Sequence, residues 1–279
     1  MQIGINVMST IGAMRENFEG TAVKLKEAGC SYFEAMSDWG AKPETVAFYA
    51  SLTGKSGWDP ENTLKRLDFL HSIGMDIKGM FVFEDCLEEQ AEALGEYCKA
   101  AGITYVVLSF LDYGDIENVY QKIQMIKNVS AVLKPYGVQI IQHNHEHDYL
   151  LMKDRDGVEK PVIDIILGQC SPKELMLEID TGWLVYAGIE AKSYIKENID
   201  RIAILHFKDI CKNYKEVDRQ DIFLACGEGA VDFKGILDGI PKEKRDTLLY
   251  ILDQDNSKND IVEDHIKSIR YFQELEKLL

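Results

Sequence analysis

The chain contains no run near the roughly 18 uncharged apolar residues that a membrane-crossing helix needs. Its opening, MQIGINVMSTIGAM, also lacks the basic start and apolar core of a secretion signal. A cytoplasmic protein without membrane contact is the expectation. Cysteine occurs six times but without a framework: Cys30, Cys86, Cys98, Cys170, Cys211 and Cys226 form no CxxC pair, in a chain of 279 residues that is too long to need stapling. They read as reduced thiols, mostly small core fillers. Positive charge is scarce as well, with 31 Lys and Arg against 47 Asp and Glu, for a net charge of -16. Such a surface repels a phosphate backbone and anionic lipid, which argues against nucleic acid and membrane partners. No phosphate-cradling loop and no arginine cluster appears, so the expected substrate is unphosphorylated. No linker, charge block or low-complexity segment divides the chain, and residues 1–279 read as one domain.

What is present is a joint used repeatedly. The segments KLKEAGCSYFEAM, DFLHSIGMDIKGMFVF, EYCKAAGITYVVLSF and AVLKPYGVQIIQHNH each end an amphipathic helix, pass Gly29, Gly74, Gly102 or Gly137, and enter an apolar run of strand length. With QIGINVMS, LMLEIDTGW, RIAILHFKD and TLLYILDQD added, eight strands are expected to begin near residues 2, 31, 76, 103, 138, 175, 202 and 247. Helical patterns over 15–28, 61–73, 88–101, 116–134, 191–199 and 261–278 separate them. Eight helix-linked parallel strands in this length predict an α/β fold of the (β/α)8 or TIM-barrel type. The rival, a doubly wound open sheet, lacks a GxGxxG after any strand. Long insertions follow strands two and seven, where Trp39, Trp58 and CGEG read as lid and wall.

In such a barrel the C-terminal strand ends carry the chemistry. Strand two ends in Glu34, strand five in HNHEHD, strand six in EIDTGW, strand seven in HFKD and strand eight in DQD. His143, His145 and His147 alternate, and on a continuous strand they would share one face. Asp180, His206 and Asp253 end consecutive strands, and one strand-five histidine completes a set that a divalent Mn, Co, Mg, Fe or Zn ion would accept. His71 and His265 fall in helical patterns and read as surface or packing residues.

Taken in order, HNHEHDY, LEIDTGWLVYAGIE, ILHFKD, GEGAVDF, ILDQD and HIKSIRYF resemble the sugar phosphate isomerase/epimerase family, of xylose isomerase-like TIM barrels in the superfamily that also holds family 2 AP endonucleases. The resemblance implies one divalent metal held by Asp180, His206 and Asp253, the last shorter than the usual Glu. It places His143 where many relatives have Glu, with Glu146 and Asp148 as substitutes for that fourth ligand. By the same resemblance His145 is a catalytic residue beside the metal and Glu34 sits near the substrate. Lys208, two residues past His206 on the same strand face, is placed to bind a hydroxyl or oxyanion; the bland alternative pairs Glu34 with Lys208 to fasten the rim.

The expected function is therefore a metal-dependent isomerase or epimerase acting on a sugar, keto-sugar or polyol derivative through a metal-stabilised enediolate. The same intermediate serves a lyase, by dehydration of a keto-inositol or β-elimination from a 3-keto-glycoside. A DNA-repair nuclease fits poorly with the acidic balance, and a non-catalytic sugar-binding barrel is the remaining alternative. A small carbohydrate is the expected partner, and self-association into a homo-oligomer is left open.

Overall fold

A computed structural model describes residues 1–53 and 59–279. Eight parallel strands close into one barrel: Ile3–Asn6, Cys30–Ala35, Asp76–Val82, Tyr105–Leu108, Gln139–His143, Met176–Asp180, Ile202–Phe207 and Leu249–Leu252, here strands one to eight. Strand eight pairs with strand one, so no strand edge is left open. Each strand begins within two residues of its expected start. The fold is the expected (β/α)8 TIM barrel.

The joints behave as their chemistry requires. Gly29, Gly74, Gly102 and Gly137 all have φ between +71° and +118°, the left-handed region that ends a helix cheaply only for glycine. The helices Pro60–Ser72, Leu87–Ala101, Ile116–Leu133, Ala191–Asn198 and Ile261–Glu276 fall on the expected patterns. The pattern over 15–28 is instead two helices, Ile11–Glu16 and Phe18–Ala28, broken at Asn17, whose side chain caps the second by accepting from Gly20 N. Five helices were not expected: Pro43–Thr53, Val162–Gln169, Thr181–Tyr186, Phe233–Gly239 and Lys242–Arg245. All are 11 residues or shorter, too short for periodicity to stand out.

The inward side chains form layers, because alternate residues of a strand face the same side. Tyr32, Phe81, Val107, Ile141, Ile204 and Ile251 fill one apolar layer from six different strands. Two residues further along, strand two offers Glu34, strand five His143, strand seven His206 and strand eight Asp253. On strand six the same step runs from Met176 to Glu178, and the next to Asp180. The interior therefore changes from hydrocarbon to buried charge on approaching the C-terminal mouth. Gly79 makes room for this step, since a Cβ there would lie 2.8 Å from Glu34 Oε1.

Both long insertions rise at this mouth. Trp39 packs against Tyr97, and its carbonyl accepts from Phe83 N at 2.8 Å, tying the loop after strand two to the loop after strand three. Trp58 lies outside the described residues. The CGEG segment is held from below rather than hinged: Asp209 accepts from Gly227 N, Gly229 N and Val231 N at 2.8–3.1 Å.

Candidate active site

At the barrel mouth a cavity of about 510 Å³ is lined by the polar His143, His145, Lys208, Asp253 and Asp255, with Phe81 of the apolar layer beside them, and by Met8, Met36, Phe83 and Phe110 from the surrounding loops and strand ends. Polar and apolar residues share the lining, the usual division between orienting groups and enclosing surface.

His143, Asp180, His206 and Asp253 are all buried, and one ligand atom from each falls within 4.8 Å of the others. Register explains the grouping, since Asp180 lies beside His206 across strands six and seven. The Asp180 carboxylate also caps the helix Thr181–Tyr186, Oδ1 accepting from Trp183 N at 2.8 Å. Its Oδ2 has no hydrogen bond, although Lys208 Nζ stands 3.1 Å away. Asn144 fixes the same residue from strand five by accepting from Asp180 N at 2.8 Å.

Charge on the floor is unbalanced. Glu34, Glu178, Asp180 and Asp253 are buried acids, with Asp255 at the rim. Burial and the neighbouring Glu34 push Glu178 well above the usual carboxylate range. The buried cations among them are Lys208 and His206, whose ring Glu178 and Glu34 raise well above its ordinary range against the effect of burial. Lys208 Nζ lies 3.0 Å from Asp253 Oδ2 and 2.6 Å from Asp255 Oδ1. Burial penalises this ammonium, but Asp180, Asp253 and Asp255 outweigh burial and hold it protonated far above its ordinary range. Burial pushes Asp180 up to about 6 against the pull of Lys208. Asp253 goes the other way: burial opposes ionisation, yet Lys208 and His206 hold its carboxyl well below the usual range. Burial, Lys208 and His147 depress His145 to about 3, so its ring is neutral near pH 7.

The alternative pairing of Glu34 with Lys208 is not made. Glu34 Oε2 instead accepts from Asn6 Nδ2 at 2.9 Å and lies 2.7 Å from His206 Nε2. Glu34 thus contacts the cluster through His206 and is not among the residues that line the cavity. Glu146 and Asp148 stand apart from the four-residue group: Glu146 pairs with Arg219, and Asp148 accepts from Tyr113 and from His145 N. His143 is the strand-five residue that enters the cluster. Its companions are not on one strand face with it, because strand five ends at His143 and His145 caps the short 3-10 turn Glu146–Tyr149. The rings still gather, His145 lying 4.9 Å from His143 and 5.7 Å from His147 between centroids. His71 is exposed, and His265 is buried against Ser9, both outside the site.

Sequence reasoning missed Glu178 and Asp255. Glu178 Oε1 lies 2.7 Å from His143 Nδ1 and 3.0 Å from His206 Nε2. The signal for Glu178 was two-residue alternation, since it shares an inward face with Asp180 on strand six; Asp255 lies past the end of strand eight, where alternation gives no signal.

The donor set suits a divalent cation on three counts. Two imidazoles and two carboxylates form a borderline set accepted by Zn, Co, Fe or Mn. The surplus of buried carboxylate is the charge that such an ion would neutralise. Both histidines have their far nitrogen against a carboxylate, as metal-bound histidines usually do.

No family model matches the sequence. An inosose dehydratase of Lacticaseibacillus casei is 27% identical over 148 residues, covering 48% of this chain and 47% of that protein; the chain thus spans about half the length of this curated relative. A sugar phosphate isomerase/epimerase from Parabacteroides distasonis superposes with a TM-score of 0.75 at 14% identity, covering 98% of this chain and 97% of that one. The IOLI protein, solved with a zinc atom, superposes at 0.68 with 14% identity, covering 98% and 96%. These structural likenesses bear on the fold.

Proposed function

We propose that the chain is a divalent-metal-dependent enzyme that removes a proton beside the carbonyl of an unphosphorylated keto-sugar or polyol-derived ketone and then expels a β-hydroxyl as water. The observation that carries this reading is the buried His143, Asp180, His206 and Asp253 group on the floor of a cavity flanked by a neutral imidazole and a protonated ammonium. These four residues would hold the ion. When bound, it would polarise the substrate carbonyl and stabilise the negative charge that develops as the C–H bond breaks.

The chain's own residues supply the rest. His145, a cavity-lining base, accepts the proton from the carbon next to the carbonyl. Lys208, an ammonium at the end of strand seven, donates to the departing hydroxyl, and Asp255 steadies it at 2.6 Å. Phe81, Phe83 and Phe110 enclose the substrate and reduce its access to water. Among the described residues no arginine lines this cavity, which favours an unphosphorylated substrate.

Elimination is preferred because the curated sequence relatives are inosose dehydratases. Isomerisation or epimerisation is the second reading, favoured by the name of the Parabacteroides neighbour, and would return the proton instead of expelling water. The test is incubation of Mn-, Co- or Zn-loaded protein with keto-inositols and ketohexoses in deuterated water. Solvent deuterium beside the carbonyl together with loss of water supports elimination; deuterium without loss of water supports the second reading. No exchange with any ketone under any of these metals would refute both.

A further inference from the structure

Glu178 is a fully buried acid that the mechanism leaves without a task, at 0% exposure, with no hydrogen bond to Oε2 among the described residues. It faces both histidines of the metal group. His143 and Glu178 are lateral neighbours across strands five and six, and His206 is the lateral neighbour of Asp180, one step beyond on strand seven. One oxygen, Oε1, therefore stands 2.7 Å from His143 Nδ1 and 3.0 Å from His206 Nε2. The opposite nitrogens face the aspartates, with His143 Nε2 3.9 Å from Asp180 Oδ2 and His206 Nδ1 3.3 Å from Asp253 Oδ2.

Resting on the metal reading above, we infer that Glu178 is a positioning residue that braces both histidine ligands at once and fixes which nitrogen of each meets the ion. A carboxylate only accepts, so His143 carries its N–H on Nδ1 toward Glu178, and His206 carries its N–H on Nε2, hydrogen-bonded to Glu34 with Glu178 Oε1 at 3.0 Å beside it. That leaves the Nε2 lone pair of His143 and the Nδ1 lone pair of His206 for the cation. Glu34 shares the bracing of His206 but does not touch His143. Glu178 is thus what makes a histidine serviceable at the strand-five position: without it the His143 ring has no hydrogen-bonded partner to set its tautomer.

Two measurements test this. The first titrates metal-free wild type and Glu178→Gln with Co²⁺, following visible absorption, which reports the ligand field independently of activity. The variant is expected to bind about 10- to 100-fold more weakly with an altered spectrum, while Glu34→Gln loses less because His143 keeps its brace. Affinity within twofold and an unchanged spectrum would overturn the inference. The second uses ¹⁵N-histidine-labelled wild type with Zn²⁺, and so does not depend on the variant folding. Coordination through His143 Nε2 and His206 Nδ1 is expected, and coordination through either opposite nitrogen would overturn the inference. Failure of wild type to take up Co²⁺ or Zn²⁺ would instead remove the metal reading on which it rests.

Discussion

At the scale of single residues, the site is governed by how few cations offset its buried acids. Lys208 is 1% exposed and sits among three carboxylates. Removing one partner of a buried ion network leaves charge uncompensated and typically costs about 3–5 kcal/mol. Lys208→Met should therefore destabilise the metal-free protein by about that much. Added Zn²⁺ should raise its melting temperature more than that of wild type, since the ion supplies part of the missing charge. Calorimetry with and without metal checks both. A second residue-scale prediction concerns His265, buried beside Ser9 with burial pulling its ring down to about 4. The folded form binds the proton less readily than the unfolded chain, whose histidine titrates near 6.5. Stability from this group is then complete above pH 6.5 and is lost as pH falls toward 4, by on the order of 3 kcal/mol. Urea unfolding at pH 7 and 5 should show wild type losing more stability than His265→Gln; equal losses would show that His265 is not the group responsible.

At the scale of elements, what was legible followed local chemistry. Strand starts and the main helices could be read because a left-handed glycine, a cap and an apolar period are all local signals. Asp180, His206 and Asp253 were found by the rule that strand ends carry polar groups, and they do lie together. The histidine trio was misjudged in part, because nothing local in HNHEHD marks the end of pairing after His143, where the chain turns into a 3-10 segment. Glu178 was passed over because its partners are 28 and 35 residues away, and only the barrel's register brings them into contact. The pairing of Glu34 with Lys208 failed for the converse reason: three nearer acids already claim the ammonium. Register also yields a prediction. A Cβ at Gly4 would meet the buried Tyr32 ring at 2.2 Å, and Tyr32 donates to the Tyr250 carbonyl at 2.9 Å, linking strands two and eight past strand one. Gly4→Ala should cost about 1–3 kcal/mol by overpacking, measured by chemical unfolding; a change under 0.5 kcal/mol would mean that the barrel closes around it without strain.

At the scale of the whole molecule, an acidic chain has enclosed a concentrated negative pocket, and the account hinges on what neutralises it. A net charge of -16 opposes a phosphate backbone over most of the surface, and no described helix is long and apolar enough to cross a membrane. The closed barrel holds His143, Asp180, His206 and Asp253 on consecutive strand ends from five to eight, a geometry that a loop-borne site would not fix as firmly. The most direct measurement is elemental analysis of freshly purified protein beside an Asp180→Asn, His206→Ala double variant. The account predicts about one divalent transition-metal ion per wild-type chain and almost none in the variant, with both proteins folded by circular dichroism. Equal and negligible metal in the two, even after soaking in Mn²⁺, Co²⁺ and Zn²⁺, would contradict it.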